Sequence, residues 1–192
     1  MQNKFQNKYR IPTTRLQTWD YSNNGAYFIT ICTQNREHFF GNIKNGIMQL
    51  SEIGKLAEQY WLEIPNHFPF VELGNFVVMP NHVHGILIIN KIDNPTLSST
   101  ESVETSHCLV SKINLNTTIG SLRFQNQGKN TISSIVGSYK SIVTKTSRQT
   151  HSDFGWQSRF HDHIIRNSKS FDIIQNYIFE NPLKWKNDKF YK

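Results

Sequence analysis

A chain of 192 residues and 22.4 kDa suits one compact domain with a substantial core. Its 37% hydrophobic and 12% aromatic content excludes a wholly disordered polypeptide, and its two cysteines, Cys32 and Cys108, lie far apart and exclude a disulfide scaffold or a thiolate zinc site. The formal charge is +7, and residues 131–192 supply most of it with ten basic against five acidic side chains; a polyanionic partner is favoured, a merely solvated face being the alternative.

Residues 1–20 form a basic arm with Lys4, Lys8, Arg10 and Arg15 and no acid before Asp20, and a turn follows from Ser22 to Gly25. Tyr27 to Thr33, rich in β-branched and aromatic residues, predicts a strand, and Gly41 to Leu50 predicts a hairpin around Asn45-Gly46. Ser51 caps a helix to about Glu63, with Ile53, Leu56, Ala57, Tyr60 and Trp61 at helical spacing and Pro65 as its stop. Val71 to Met79 and Val83 to Ile89 predict two central strands joined tightly at Pro80-Asn81. The longest apolar run, Gly85 to Ile89, is far shorter than the ~20 residues that span a bilayer, so a cytoplasmic protein with no membrane partner is expected.

Residues 91–130 differ in kind, since 16 of these 40 are Ser, Thr or Asn and only Phe124 is aromatic, so a mobile insertion is expected. Thr131 to about Gln149 predicts a basic amphipathic helix, Gly155 to Arg166 a strand, and Ser170 to about Asn181 a last helix stopped by Pro182. The whole order predicts one α+β domain over 1–192, a two-layer sandwich on an antiparallel sheet.

Three places could carry chemistry. In Met79-Pro80-Asn81-His82-Val83-His84, strand alternation puts His82 and His84 on one face, close enough to converge on one ion, although paired polar histidines are also common on strands. His161 and His163 offer the same spacing around Asp162 and are the alternative metal pair, or phosphate contacts, or a supporting outer layer. On the last helix Tyr177 and Asn181 are four apart and share a face, presenting a phenol and a carboxamide; the other reading is a half-buried tyrosine and a capping asparagine.

Four stretches in this order, Tyr27 to Arg36, Val78 to His84, Phe160 to Arg166 and Tyr177 to Pro182, resemble the IS200-like single-tyrosine transposases, closest to the branch associated with repetitive extragenic palindromes. The resemblance covers nearly the whole chain except the arm and the insertion. It implies an HUH endonuclease with a ferredoxin-like, RNA-recognition-like sheet backed by helices on one face. It implies Tyr177 as nucleophile, and His82, His84 and Asn181 as ligands of a divalent ion, Mg²⁺ or Mn²⁺. By the same resemblance the protein, monomer or homodimer, cleaves and rejoins single-stranded DNA near hairpins through a 5′-phosphotyrosine. Arg10, Lys140, Lys145, Arg148 and Arg159 are the candidate DNA contacts, and His161 and His163 candidate supports of the metal site. Two other readings stand: a non-catalytic nucleic-acid-binding module, and a metal phosphoesterase that uses water.

Overall fold

In a computed structural model of the chain, residues 15–16, 18–91 and 130–191 are described, with the backbone of two short paired strands, β1 (Lys4–Phe5) and β2 (Lys8–Tyr9). Arg10, Cys108 and nearly all of the expected insertion lie outside the described residues. The elements that follow are β3 (Gly25–Cys32), β4 (Gly41–Lys44), β5 (Ile47–Leu50), α1 (Glu52–Leu62), α2 (Ile64–His67), β6 (Val71–Met79) and β7 (His82–Ile89). The chain then continues through α3 (Ile132–Ser147), β8 (His161–Ile165) and α4 (Ser168–Glu180). Four strands form one antiparallel sheet in the order β6-β7-β3-β8, which with α1 and α3 as crossovers is the ferredoxin-like arrangement.

Local chemistry sets most of these boundaries. Asn45 and Gly46 both have positive φ, 53° and 75°, the pair a two-residue turn needs to match strand twist, so β4 and β5 close as a hairpin. Ser51 accepts from the Gly54 N–H at 3.1 Å and starts α1. Pro65 does not end the helical region; it stands in the first turn of α2, where its missing N–H costs nothing. Asn167 caps α4 by accepting from Ser170 N–H at 2.8 Å, so the helix begins two residues earlier than its expected start.

The expected strand over Gly155 to Arg166 forms only at its end. Gln34 N–H donates to Gly155 O at 2.8 Å and Gln157 N–H to Cys32 O at 2.9 Å, which hold residues 155–157 against the end of β3. Trp156 meanwhile packs on Phe40 and Phe154, with centroids 5.3 and 5.4 Å away, and that packing bends the segment away from an extended path.

Tyr27, Ile29 and Ile31 of β3 and Val83, Leu87 and Ile89 of β7 point to one face, where Ile53, Ala57 and Trp61 of α1 and Ile135, Val136, Tyr139 and Val143 of α3 cover them. Trp61 lies on the strand backbone itself: a Cβ at Gly85 would meet its ring at 2.3 Å, so β7 needs a glycine there. The two crossover helices thus back one face as expected, and α4 is laid over the other. Phe171, Ile174 and Ile178 of α4 pack on Ile86 and Ile165, because these face the opposite way from the main core. Among the described residues no helix is long and apolar enough to cross a membrane.

Candidate active site

The tight turn at Pro80-Asn81 starts β7 at His82, and strand alternation sends His82 and His84 to the α4 side, both buried, with ring centroids 4.4 Å apart. Each ring is held from behind. The Asn81 Nδ2 donates to the Phe190 and Arg36 carbonyls at 2.9 and 3.3 Å, so its Oδ1 is left to accept from His82 Nδ1 at 2.9 Å. Thr30, directly opposite His84 across the β3–β7 ladder, meets His84 Nδ1 at 2.8 Å. The proton is thereby held at Nδ1 of His82, which leaves its Nε2 as the lone-pair nitrogen, and His84 Nε2 faces α4.

Burial, with help from His84, Lys189 and Arg36, pushes the His82 pKa well below the usual imidazole range. Burial and the Lys189 charge bring His84 down to about 3. Both rings are therefore neutral at pH 7, the form that can donate a lone pair to a metal.

Helix α4 brings the other two groups. Gln175 anchors it by accepting from the Asn75 N–H at 2.8 Å, and its apolar face fixes the rotation. Tyr177, 38% exposed, stands edge-on to Phe28 and places its hydroxyl 3.3 Å from His84 Nε2. Asn181, one turn on, caps the helix and is only 2% exposed.

The sequence reading missed Asp188. Its Oδ2 accepts from Asn181 Nδ2 at 3.1 Å and from the Tyr177 hydroxyl at 3.4 Å, and its Oδ1 accepts from Phe190 N–H at 2.7 Å. A lone acid among Lys184, Lys186 and Lys189 was the only signal in the sequence, and no periodicity points to it. Burial first, and then the Asp188 charge, push the Tyr177 pKa up to about 12. The phenol therefore does not ionise unaided at neutral pH.

The donor set fits a divalent cation. His82 Nε2 and Asn181 Oδ1 are buried with no hydrogen-bond partner, which is costly unless something absent from the polypeptide satisfies them. Ligand atoms of His82, His84 and Asp188 lie within 4.8 Å of one another. Neutral imidazole nitrogens with carboxylate and carboxamide oxygens are donors that transition-metal and hard divalent ions accept.

The other expected residues do not join this cluster. His161 and His163 lie on edge strand β8, exposed, on the same face but opposite Thr30 and Phe28, so β3 separates them from the histidine pair. His161 is still near enough for its charge to depress the His84 pKa. Lys140 and Arg148 hold the chain: Lys140 Nζ donates to Gln157 O at 2.7 Å and Arg148 Nε to Phe154 O at 2.9 Å. With exposed Lys145 they line a shallow groove of about 530 Å³ beside Gln34, Gln157 and Ser158 on the helical layer, behind the sheet that carries the histidines. Arg159 is exposed in the loop before β8.

No protein-family model matches the chain. An uncharacterised protein of Haemophilus influenzae is 38% identical over 180 residues, spanning 92% of this chain and 91% of its own length. Among solved structures, a REP-associated tyrosine transposase bound to a REP hairpin aligns with 92% of this chain and 77% of its own, at TM-score 0.56 and 18% identity. A candidate transposase from Deinococcus radiodurans covers 87% of this chain and 96% of its own at TM-score 0.41 and 13% identity. The chain therefore belongs to one family with the Haemophilus influenzae protein and has the fold of the REP-associated tyrosine transposase, the group that its four motifs resemble.

Proposed function

We propose that the chain is a metal-dependent single-strand DNA endonuclease and strand transferase of the single-tyrosine HUH type. The observation that carries this reading is the placement of a solvent-reachable phenol oxygen 3.3 Å from one of two neutral, buried imidazoles beside an unpartnered carboxamide oxygen. A structural tyrosine has no need of such neighbours.

Tyr177 is the nucleophile. Its Oη attacks the scissile phosphorus and forms a phosphotyrosine while the bond to the 3′ oxygen breaks; the phenol gives up its proton and the departing 3′ oxygen takes one. The bond energy stays in the ester, so a 3′-hydroxyl of another strand can reverse the step without a nucleotide cofactor. His82, His84 and Asn181 would hold a divalent ion, Mg²⁺ or Mn²⁺, which when bound draws charge from the phosphate oxygens and favours the phenolate. Thr30 and Asn81 orient the two imidazoles, and Phe28 with the α4 packing sets the phenol's direction.

The REP-associated transposase was captured on a hairpin, which supports a single strand beside a hairpin as the substrate class. Arg10, Lys145 and Arg159 are proposed phosphate contacts, and Lys140 and Arg148, which line one groove with Lys145, are proposed to join them after their structural bonds are made. The test is incubation with labelled hairpin-flanked single strands and Mg²⁺ or Mn²⁺. A denaturation-resistant protein–DNA adduct is expected, absent from Tyr177→Phe. Cleavage unchanged in that variant would replace the tyrosine by metal-activated water, and binding without cleavage across several hairpins would replace the enzyme by a binding module.

A further inference from the structure

We infer that Asp188 is a direct anionic ligand of the divalent ion, brought to the His82, His84 and Asn181 set by the C-terminal segment. This rests on the metal reading above and adds a ligand from a third structural element, after the strand and the helix.

Charge is the first reason. Two neutral imidazoles and a carboxamide bring no negative charge, while Lys189 and Arg36 both act electrostatically on His82. A dication held there by neutral ligands alone would meet these two cations with no ligand charge to offset them. Asp188 is the carboxylate that the fold supplies, with its oxygen, His82 and His84 nitrogens all within 4.8 Å of one another. An ion among three such atoms lies near bonding distance of each after only small side-chain adjustments.

The second reason is that the carboxylate is held in place by the same group that holds His82. Asn81 donates to the Phe190 carbonyl at 2.9 Å while accepting from the His82 ring. Phe190 packs tilted against His82 with centroids 4.6 Å apart, and Arg36 donates to the Lys189 carbonyl at 3.2 Å. The segment carrying Asp188 is therefore fixed just after the acid, Lys189 to Arg36 and Phe190 to Asn81, the residue that precedes the histidine strand. The contact of Asp188 with the Tyr177 hydroxyl, 3.4 Å, is by contrast long for a hydroxyl–carboxylate bond and is cheaply exchanged for an ion. Asn181 Nδ2 already donates to the same carboxylate, which leaves Asn181 Oδ1 open on the side of the site.

The experiment is a titration of the full chain with Mn²⁺ alone, free Mn²⁺ being read by electron paramagnetic resonance, for wild type, Asp188→Asn and His82→Ala. Asparagine keeps the acceptor for Phe190 N–H, so the local turn survives. The expected result is one tight ion in wild type, affinity reduced about tenfold or more in Asp188→Asn, and none in His82→Ala. Equal affinity in wild type and Asp188→Asn, with loss in His82→Ala, overturns the inference and leaves the metal reading intact; no uptake by wild type overturns both. Should Asp188→Asn melt well below wild type in chelator, Asp188→Cys loaded with Co²⁺ decides. A thiolate-to-cobalt charge-transfer band absent from wild type supports direct ligation, and its absence overturns it.

Discussion

The two faces of strands β3 and β7 are built from alternate residues of the same segments and both carry fully buried side chains, yet they differ in chemistry. On one face Tyr27, Ile29, Ile31, Val83, Leu87 and Ile89 meet α1 and α3 in a dry core. On the other Thr30, His82 and His84 are 4, 0 and 1% exposed and meet α4 and the C-terminal segment. Burial on the first face is stabilising; on the second it strips solvent from imidazoles and leaves His82 Nε2 and Asn181 Oδ1 unpartnered in one site. Trp61 Nε1 and Ser147 Oγ are also unpartnered, but neither belongs to a cluster of titratable groups. What sets this second face apart from the core is therefore the convergence of unsatisfied groups, not depth.

Two substitutions separate the faces most sharply. Tyr177→Phe removes one oxygen from the reactive face and should abolish the covalent adduct while leaving the melting temperature within about 2 °C of wild type, because the ring and its contact with Phe28 remain. Trp61→Ala does the reverse. It empties the space above Gly85 and should cost about 3–5 kcal/mol in denaturant unfolding. Under conditions where the variant is still folded its Mn²⁺ affinity should match wild type. A Trp61→Ala protein that is folded but no longer binds the ion would break the division between the faces.

Acid should act on the reactive face first. Both histidines have folded pKa values below the ordinary 6.5, so between 6.5 and the folded values the unfolded chain binds protons that the folded chain does not. Stability therefore falls as pH drops below 6.5, by up to about 1.4 kcal/mol per histidine per pH unit, and for His84 the loss continues to about 3. Melting in chelator from pH 7 to pH 5 reads this slope. A His82→Gln, His84→Gln double variant should flatten it, and an unchanged slope would place the acid sensitivity elsewhere.

Much of the frame was legible because it is set by neighbours in sequence. Asn45-Gly46 dictated a hairpin, Ser51 a helix start, and the spacing of His82 and His84 a shared face, whatever the rest of the chain does. Tyr177 and Asn181 likewise share a face by helical geometry alone. Asp188, Thr30 and Asn81 were not legible in their present roles, since each depends on a partner brought up by tertiary packing. Thr30 read as a strand former, Asn81 as a turn residue and Asp188 as one charge in a basic tail. The position of α4 opposite α1 and α3 was hidden for the same reason: its apolar stripe says that it packs, not on which side.

Thr30 gives a finer cut at the reactive face than removal of a ligand. Thr30→Val keeps the shape of a β-branched strand residue but leaves His84 Nδ1 without its 2.8 Å partner. Mn²⁺ affinity should fall about tenfold, with Thr30→Ser restoring most of it, since the hydroxyl rather than the methyl is at issue. Equal losses in both variants would show that packing beside His84, not orientation of its ring, is what Thr30 contributes.

The smallest effects belong to the basic groove, where two lysines that look alike in sequence should behave differently. Lys140 Nζ donates to the Gln157 carbonyl, and its pKa is lowered by burial, so Lys140→Ala removes a hydrogen bond that holds residues 155–157. About 1 kcal/mol of stability should go with it. Lys145 is exposed in the same groove, and Lys145→Ala should change stability by less than about 0.5 kcal/mol. If the groove carries phosphates, each substitution should lower single-strand affinity, and Lys145→Ala should reduce the slope of log affinity against log salt by about 1. An unchanged salt slope in Lys145→Ala would leave the groove a solvated face and place the nucleic-acid path on the other side of the sheet, the face that exposed His161 and His163 of β8 share with His84.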